Sequence, residues 1–197
     1  MVRIFFSMMV GAVLAQAQVQ AQDERIEQGP VPDWATPSEL MPVPEGAGGL
    51  IFVRRQDALI HLDAEGQAQY FGYRVRILHP NALQMGNIQT AWNPASGPPV
   101  VHFIKVHRDG ETIDVLEKSS FEILRREDQL EAAMLDGILT AVLRVPDLRV
   151  GDELEVGLTT RLSDPTLGKN DSGLLLLGPS PALGRYRLGL SWGKGVG

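Results

Sequence analysis

VVHFIKVHRDGETIDVL, residues 100–116, reads as two strands closed by a tight turn. With Asp109 and Gly110 as the two central residues of a primed turn, Arg108 faces Glu111, Val106 faces Ile113, Lys105 faces Asp114 and Ile104 faces Val115. Aliphatic side chains then meet on one face and opposite charges meet on the other, apart from Arg108 and Glu111 at the mouth of the turn. A slip of one residue would mix the two faces, so the pattern specifies its own register.

The same period of two extends in both directions. Leu50–Leu62 and Gln67–Leu78 are rich in Ile, Val, Phe, Tyr and Leu, and DAEG (63–66) between them has hairpin-turn composition. Downstream, PDLRVGD (146–152) is a turn that places Gly151 and Asp152 ahead of a strand with Leu154, Val156 and Leu158 on one face and Glu153 and Glu155 on the other. YRLGLSW (186–192) alternates again, five residues before the sequence given ends. A strand so placed leaves an unpaired edge, and the expectation is a sheet that is C-terminally incomplete.

ILRREDQLEAAMLDG (123–137) allows two readings. A second two-residue turn at Asp136-Gly137 pairs Leu135 with Ile138, Met134 with Leu139, Ala132 with Ala141 and Leu130 with Leu143. The competing reading is a short helix over Glu127–Leu135, because Leu, Glu, Ala and Met favour helix. The hairpin accounts for both flanks and for the Asp-Gly pair. The expected fold is therefore all-β, an antiparallel β-sandwich built from hairpins.

Ahead of this domain, Met1–Ala21 combines Arg3, an apolar run from Ile4 to Leu14 and small residues in AQAQVQAQ, the pattern of a secretory signal peptide. The run is shorter than the roughly 20 residues a membrane span needs. Residues 22–48 hold Pro30, Pro32, Pro37, Pro42 and Pro44 and read as an extended Pro-rich linker, with Trp34 and Met41 able to lean on the domain of residues 49–197. Removal of residues 1–21 leaves 17 Lys and Arg against 24 Asp and Glu, a net charge of −7 that disfavours nucleic acid and anionic lipid. With no cysteine there is neither a disulfide framework nor a thiol nucleophile, and the expected location is secreted or periplasmic.

Candidate chemistry is sparse. The carboxylates Glu127, Asp128, Glu131 and Asp136 do not converge as a hydrolytic pair would, and Arg125 and Arg126 balance them. His61, His79, His102 and His107 show no metal-ligand spacing, and His102 and His107, five apart in a strand, belong on opposite faces. Asp109, Gly110, Asp136, Gly137, Gly151 and Asp152 are expected as structural turn residues. Trp92, Tyr70 and Tyr73 are the candidate binding face. No catalytic residue, cofactor or metal ligand is assigned.

Taken in order, RDGETIDVL, ILRREDQLEAAMLDGILTA and PDLRVGDELEV, with Asp164-Pro165, resemble a bacterial secreted domain of unknown function found N-terminal to transglutaminase-like (papain-like) catalytic domains. The resemblance implies a β-sandwich module followed by further strands and a Cys-His-Asp domain, and this cysteine-free chain receives none of those catalytic residues. The expected function is a non-catalytic extracytoplasmic module that positions a partner, a protein or cell-envelope polymer, or an attached transglutaminase- or protease-like domain. A stand-alone carbohydrate- or peptide-binding module and a carboxylate hydrolase are the alternatives.

Overall fold

The computed structural model describes residues 25–125, 137–162 and 184–193. Their strands are β1 (Glu27–Gln28), β2 (Ile51–Asp63), β3 (Gly66–Ile77), β4 (Asn87–Trp92), β5 (Val100–Arg108), β6 (Glu111–Asp114), β7 (Glu122–Arg125), β8 (Leu139–Arg144), β9 (Glu153–Leu162) and β10 (Tyr186–Trp192). The larger sheet runs β1-β5-β9-β3-β2-β10, with β6 also on β5, and the smaller runs β4-β8-β7. The fold is all-β. It is mixed where a purely antiparallel sheet was expected, because β1 joins β5 and β10 joins β2 in parallel.

The two sheets enclose one core. Val75, Ile77, Ile104, Val106, Leu154 and Val156 of the large sheet pack with Ile88 and Leu143 of the small one. Ile77, Ile104 and Leu154 are wholly buried, each contributing about 1.5–3 kcal/mol of transfer free energy. The alternation in the sequence assigns these residues correctly: β9 sends Leu154 and Val156 inward and turns Glu153 and Glu155 to the other face.

Asp109 and Gly110 form the turn between β5 and β6, with φ of 50° and 85°. The register is Lys105 to Asp114, Val106 to Ile113, His107 to Thr112 and Arg108 to Glu111. β8 lies between β4 and β7, with Ala141 opposite Thr90 on one side and Ile123 on the other. The expected partners Leu130, Ala132 and Met134 lie outside the described residues. Gly137 is left-handed, with φ 64°, whereas Asp136 and the helix alternative over 127–135 lie outside the described residues.

The Pro-rich stretch expected as a linker is, from residue 25, part of the folded body. Glu27 and Gln28 add a short parallel strand to Val100 and Val101, and Ala35, wholly buried, closes a small cluster with Leu59 and Tyr70. Trp34 stacks on His61 with ring centroids 5.1 Å apart. Proline excludes this segment from a central strand but leaves it suited to cross a sheet as a strap.

Under the strap, Gly72 and Gly157 face each other across β3 and β9. The Tyr70 ring covers the first and the Phe103 ring the second: a Cβ added at Gly157 would sit 2.5 Å from Phe103 Cζ. Gly157→Ala is expected to lower unfolding stability by about 1–3 kcal/mol, measured by urea denaturation, because an aromatic ring would have to leave its place.

Candidate functional site

The outer face of the large sheet, turned away from the small one, carries most of the organised charge. Two β-bulges build it. The register of β2 on β3 shifts between Val53 and Arg55, and that of β5 on β9 shifts between Val101 and Phe103. Each bulge turns two consecutive side chains to one side, Arg54 with Arg55 and His102 with Phe103.

Arg54 Nη1 donates to both oxygens of Glu153 at 2.8 and 2.7 Å, and Arg74 Nε donates to Glu153 Oε2 at 2.6 Å. Arg55 Nη2 donates to Glu155 Oε1 at 2.5 Å, while His107 Nε2 lies 2.6 Å from Glu155 Oε2. Arg187 Nε donates to Asp57 Oδ1 at 2.8 Å. Asp57 is wholly buried and Glu153 is 7% exposed, so these are carboxylates withdrawn from water that require such partners.

The other ends of the same arginines hold the strap. Arg54 Nε donates to Met41 O at 2.8 Å, Arg55 Nη1 to Ser38 O at 2.9 Å and Arg187 Nη2 to Thr36 O at 2.5 Å. In return Ser38 N–H donates to Asp57 Oδ2 at 3.0 Å and Met41 N–H donates to Arg54 O at 3.1 Å. Farther along, His102 Nδ1 lies 3.0 Å from Gly29 O and its Nε2 lies 2.8 Å from Thr159 Oγ1. Because a carbonyl only accepts, the imidazole carries its proton on Nδ1 and accepts from Thr159 through Nε2. The outer face is thus a lattice in which Arg54, Arg55 and Arg187 each span a sheet carboxylate and a strap carbonyl.

Electrostatics follow from this packing. Burial pushes the Glu153 carboxyl up, but hydrogen bonds from Arg54 and Arg74 outweigh it and hold the group below its ordinary value. Asp152 behaves alike: burial raises it, while Arg108 and the Arg149 N–H bring it below the ordinary carboxylate value. Burial lowers His102, so the neutral ring is the favoured form. Glu153, ionised and triply hydrogen-bonded, is poorly suited to deliver a proton, and among the described residues no cluster of three metal-ligating side chains occurs.

The aromatic residues selected from the sequence do not share a face. Tyr70 is 1% exposed on the outer face beneath the strap, and burial pushes its hydroxyl up to about 12. Tyr73 belongs to the inner face, packed against the main core, and burial likewise pushes it up to about 12. Trp92 is buried in the small sheet with Leu139 and Ala141. Trp92, Tyr70 and Tyr73 therefore form no common platform, because Trp92 and Tyr70 are buried and Tyr73, partly buried, lies on the opposite face from Tyr70. Gly151, at φ 96°, turns the chain so that Asp152 accepts from Arg149 N and Arg108. His102 and His107, expected on opposite faces, share the outer one because the bulge consumes a residue between them.

Arg54, Arg55, Arg74, Glu153 and Glu155 were not selected from the sequence. The available signals were the consecutive arginines 54–55 inside an alternating strand, and the acids 153 and 155 spaced to share one face.

A two-sheet β module whose outer face is closed by a strap is the class of protein that this geometry defines. A model of a family described as a domain of unknown function with solved structure, DUF3857, matches residues 64–188, and the chain belongs to that family. Among solved structures, a 2.00 Å crystal structure of a "putative protease" from Parabacteroides distasonis is 15% identical with a TM-score of 0.51. The match covers 59% of this chain and 24% of that one, so it shows a shared fold over part of each, and the matched region spans about a quarter of the longer protein. No curated protein matches the chain.

The pH dependence follows in sign. Glu153 and Asp152, lowered in the folded state, contribute stability that is present above the ordinary carboxylate value of about 4 and lost as pH falls through the folded values. His102, also lowered, contributes stability that is full above about 6.5 and lost as pH drops below it. Thermal melts between pH 8 and 3 are expected to fall in two stages, with His102→Gln flattening the first. Glu153→Ala, which leaves Arg54 without a carboxylate and Arg74 with only Glu155 at 3.8 Å, is expected to cost about 3–5 kcal/mol at neutral pH in urea unfolding.

Proposed function

We propose that this chain is a non-catalytic extracytoplasmic module that positions a partner or an attached transglutaminase- or protease-like domain. One observation carries the reading. The inner face of the large sheet exposes several large apolar side chains: Phe71 is 38% exposed, Leu162 48%, Leu190 52% and Trp192 64%. Register places these residues together, since Trp192, Leu62, Gln67 and Leu162 form one row across four strands and Leu188, Ala58, Phe71 and Leu158 form a parallel row. Large apolar side chains exposed together on one sheet face, with Gln67, Gln69 and Thr160 among them, mark a surface made to be covered.

Two further points support it. The outer face is consumed by its own strap, leaving the inner face as the larger unoccupied surface among the described residues. The segment Met1–Ala21 has the composition of a secretory signal, which supports an extracytoplasmic location. The binding-module alternative loses its aromatic platform, as Trp92 and Tyr70 are buried. The carboxylates invoked for a hydrolase, Glu131 and Asp136, lie outside the described residues.

Reading the genomic DNA past codon 197 tests the attached-domain form directly. An in-frame continuation encoding Cys, His and Asp motifs is expected, and a stop codon with no catalytic domain behind it would overturn that form. In the polypeptide so encoded, Leu190→Ser with Trp192→Ser is expected to weaken docking of the module by at least about 2 kcal/mol, read as faster proteolysis between the two units.

A further inference from the structure

Arg144, the last residue of β8, stands apart from the other arginines. Among the described side chains every other arginine is paired with a carboxylate, whereas Arg144 is exposed and has no ion pair. Glu122 of β7 stands two residues back, level with Val142, and forms no ion pair with it. On the other side Asn87 of β4 lies directly opposite, and one step beyond it Val145 N–H donates to Gly86 O at 2.8 Å. That bond makes Asn87 and Arg144 a pair without mutual main-chain hydrogen bonds, with Cα atoms about 4.5 Å apart and side chains abreast.

Beside this pair opens a cleft of about 610 Å³, a size that holds small ligands. Leu83, Val145, Pro146 and Leu148 give it an apolar lining, while Gln84, Asn87 and Arg144 give it two amides and one cation. The acid at its border, Asp147, is already engaged: Arg108 Nη1 donates to its Oδ2 at 3.2 Å and Arg149 Nε to its Oδ1 at 3.1 Å. The walls are fixed as well. Asp147 has φ 51°, Arg108 Nη2 donates to Asp147 O at 2.6 Å, and Asp152 accepts from Arg149 N–H at 2.8 Å. A non-glycine residue in left-handed backbone persists only where its surroundings over-determine it, and such residues gather at ligand sites. Leu148 packs so closely on the short 3-10 helix Pro80–Gly86 that a Cβ added at Gly86 would lie 3.2 Å from its Cδ2. A cleft held in this way needs little ordering to bind.

The lining selects the ligand. One cation with no acid of its own matches one carboxylate, which a guanidinium grips through two parallel hydrogen bonds. Side-chain amides both donate and accept, as a peptide unit does. The apolar lining suits an aliphatic side chain, and the chain's net charge of −6 disfavours polyanions. We propose that the cleft binds the free C-terminus of a peptide whose last residue is aliphatic. Arg144 takes the carboxylate, Asn87 and Gln84 take the last peptide unit, and Leu83, Pro146 and Leu148 receive the side chain. The cleft shares no residue with the apolar face of Phe71, Leu162, Leu190 and Trp192, so the proposal stands whether or not a domain is attached there.

The probe is acetyl-Gly-Ala-Leu, as the free acid and as its C-terminal amide, titrated into the isotope-labelled chain and followed by amide NMR. The free acid is expected to give saturable shifts at Gln84, Asn87, Arg144 and Leu148, and the C-terminal amide to bind at least about tenfold more weakly. Arg144→Gln and Asn87→Asp, both at exposed positions, should each raise the dissociation constant at least about tenfold with unchanged far-UV circular dichroism. Lys118→Gln, which removes an exposed cation that does not line the cleft, should leave it unchanged. No shift at these amides up to millimolar peptide, equal binding of acid and amide, or an equal loss in Lys118→Gln overturns the proposal. Acetate bound as well as the peptide, or decanoate bound more tightly, also overturns it, by making the site one for a carboxylate alone or for a fatty acid.

Discussion

The withdrawal of Glu153, Glu155 and Asp57 from water is the constraint on which the rest of the structure depends. A buried carboxylate without partners would be strongly destabilising, and here each is met by arginine. Guanidinium suits the task because its donors form a fixed fork that can bind in two directions at once. Arg54, Arg55 and Arg187 use one direction for a carboxylate and the other for a carbonyl of the strap. The residues that neutralise the sheet are therefore the residues that close it, and the Pro-rich segment that the sequence makes unfit for a central strand is held without being one.

This division of labour leaves the two faces of the large sheet with different roles. The outer face is occupied: its buried carboxylates are paired, its histidines are bonded and its aromatic rings cover glycines, while the Tyr70 hydroxyl and Ser38 Oγ are buried there without a partner. The inner face is a core at one end, under the small sheet, and an open apolar surface at the other. The strap and its arginines back the large sheet on one side while the small sheet covers part of the other.

Much of the fold was legible in the sequence because it rests on strict alternation. Val106, Ile104, Leu154 and Val156 declare the buried face, and Asp109-Gly110 declares a turn that only left-handed backbone satisfies. The site was not legible, for a physical reason. A β-bulge breaks the period of two on which the reading relies, so Arg54 with Arg55 and His102 with Phe103 fall on faces that alternation misassigns. Burial of charge is also invisible locally: Glu153 reads as a solvent residue until Arg54, 99 positions away, is brought against it. The place of β7 on β8 was hidden for a related reason, because Leu, Met and Ala offer several apolar registers and Ile123, opposite Ala141, is one apolar residue among many in that stretch.

If the lattice holds the strap, the two should open together. The most direct measurement is hydrogen exchange at the amides of Ser38 and Met41, which donate to Asp57 and to Arg54 O across the strap contact. In the wild-type chain both are expected to be protected to nearly the same degree as the β2 and β3 ladder, and in Glu153→Gln both should lose protection while that ladder keeps its own. Strap amides that exchange freely in the wild type, or that remain protected when Glu153 is neutralised, would contradict the account.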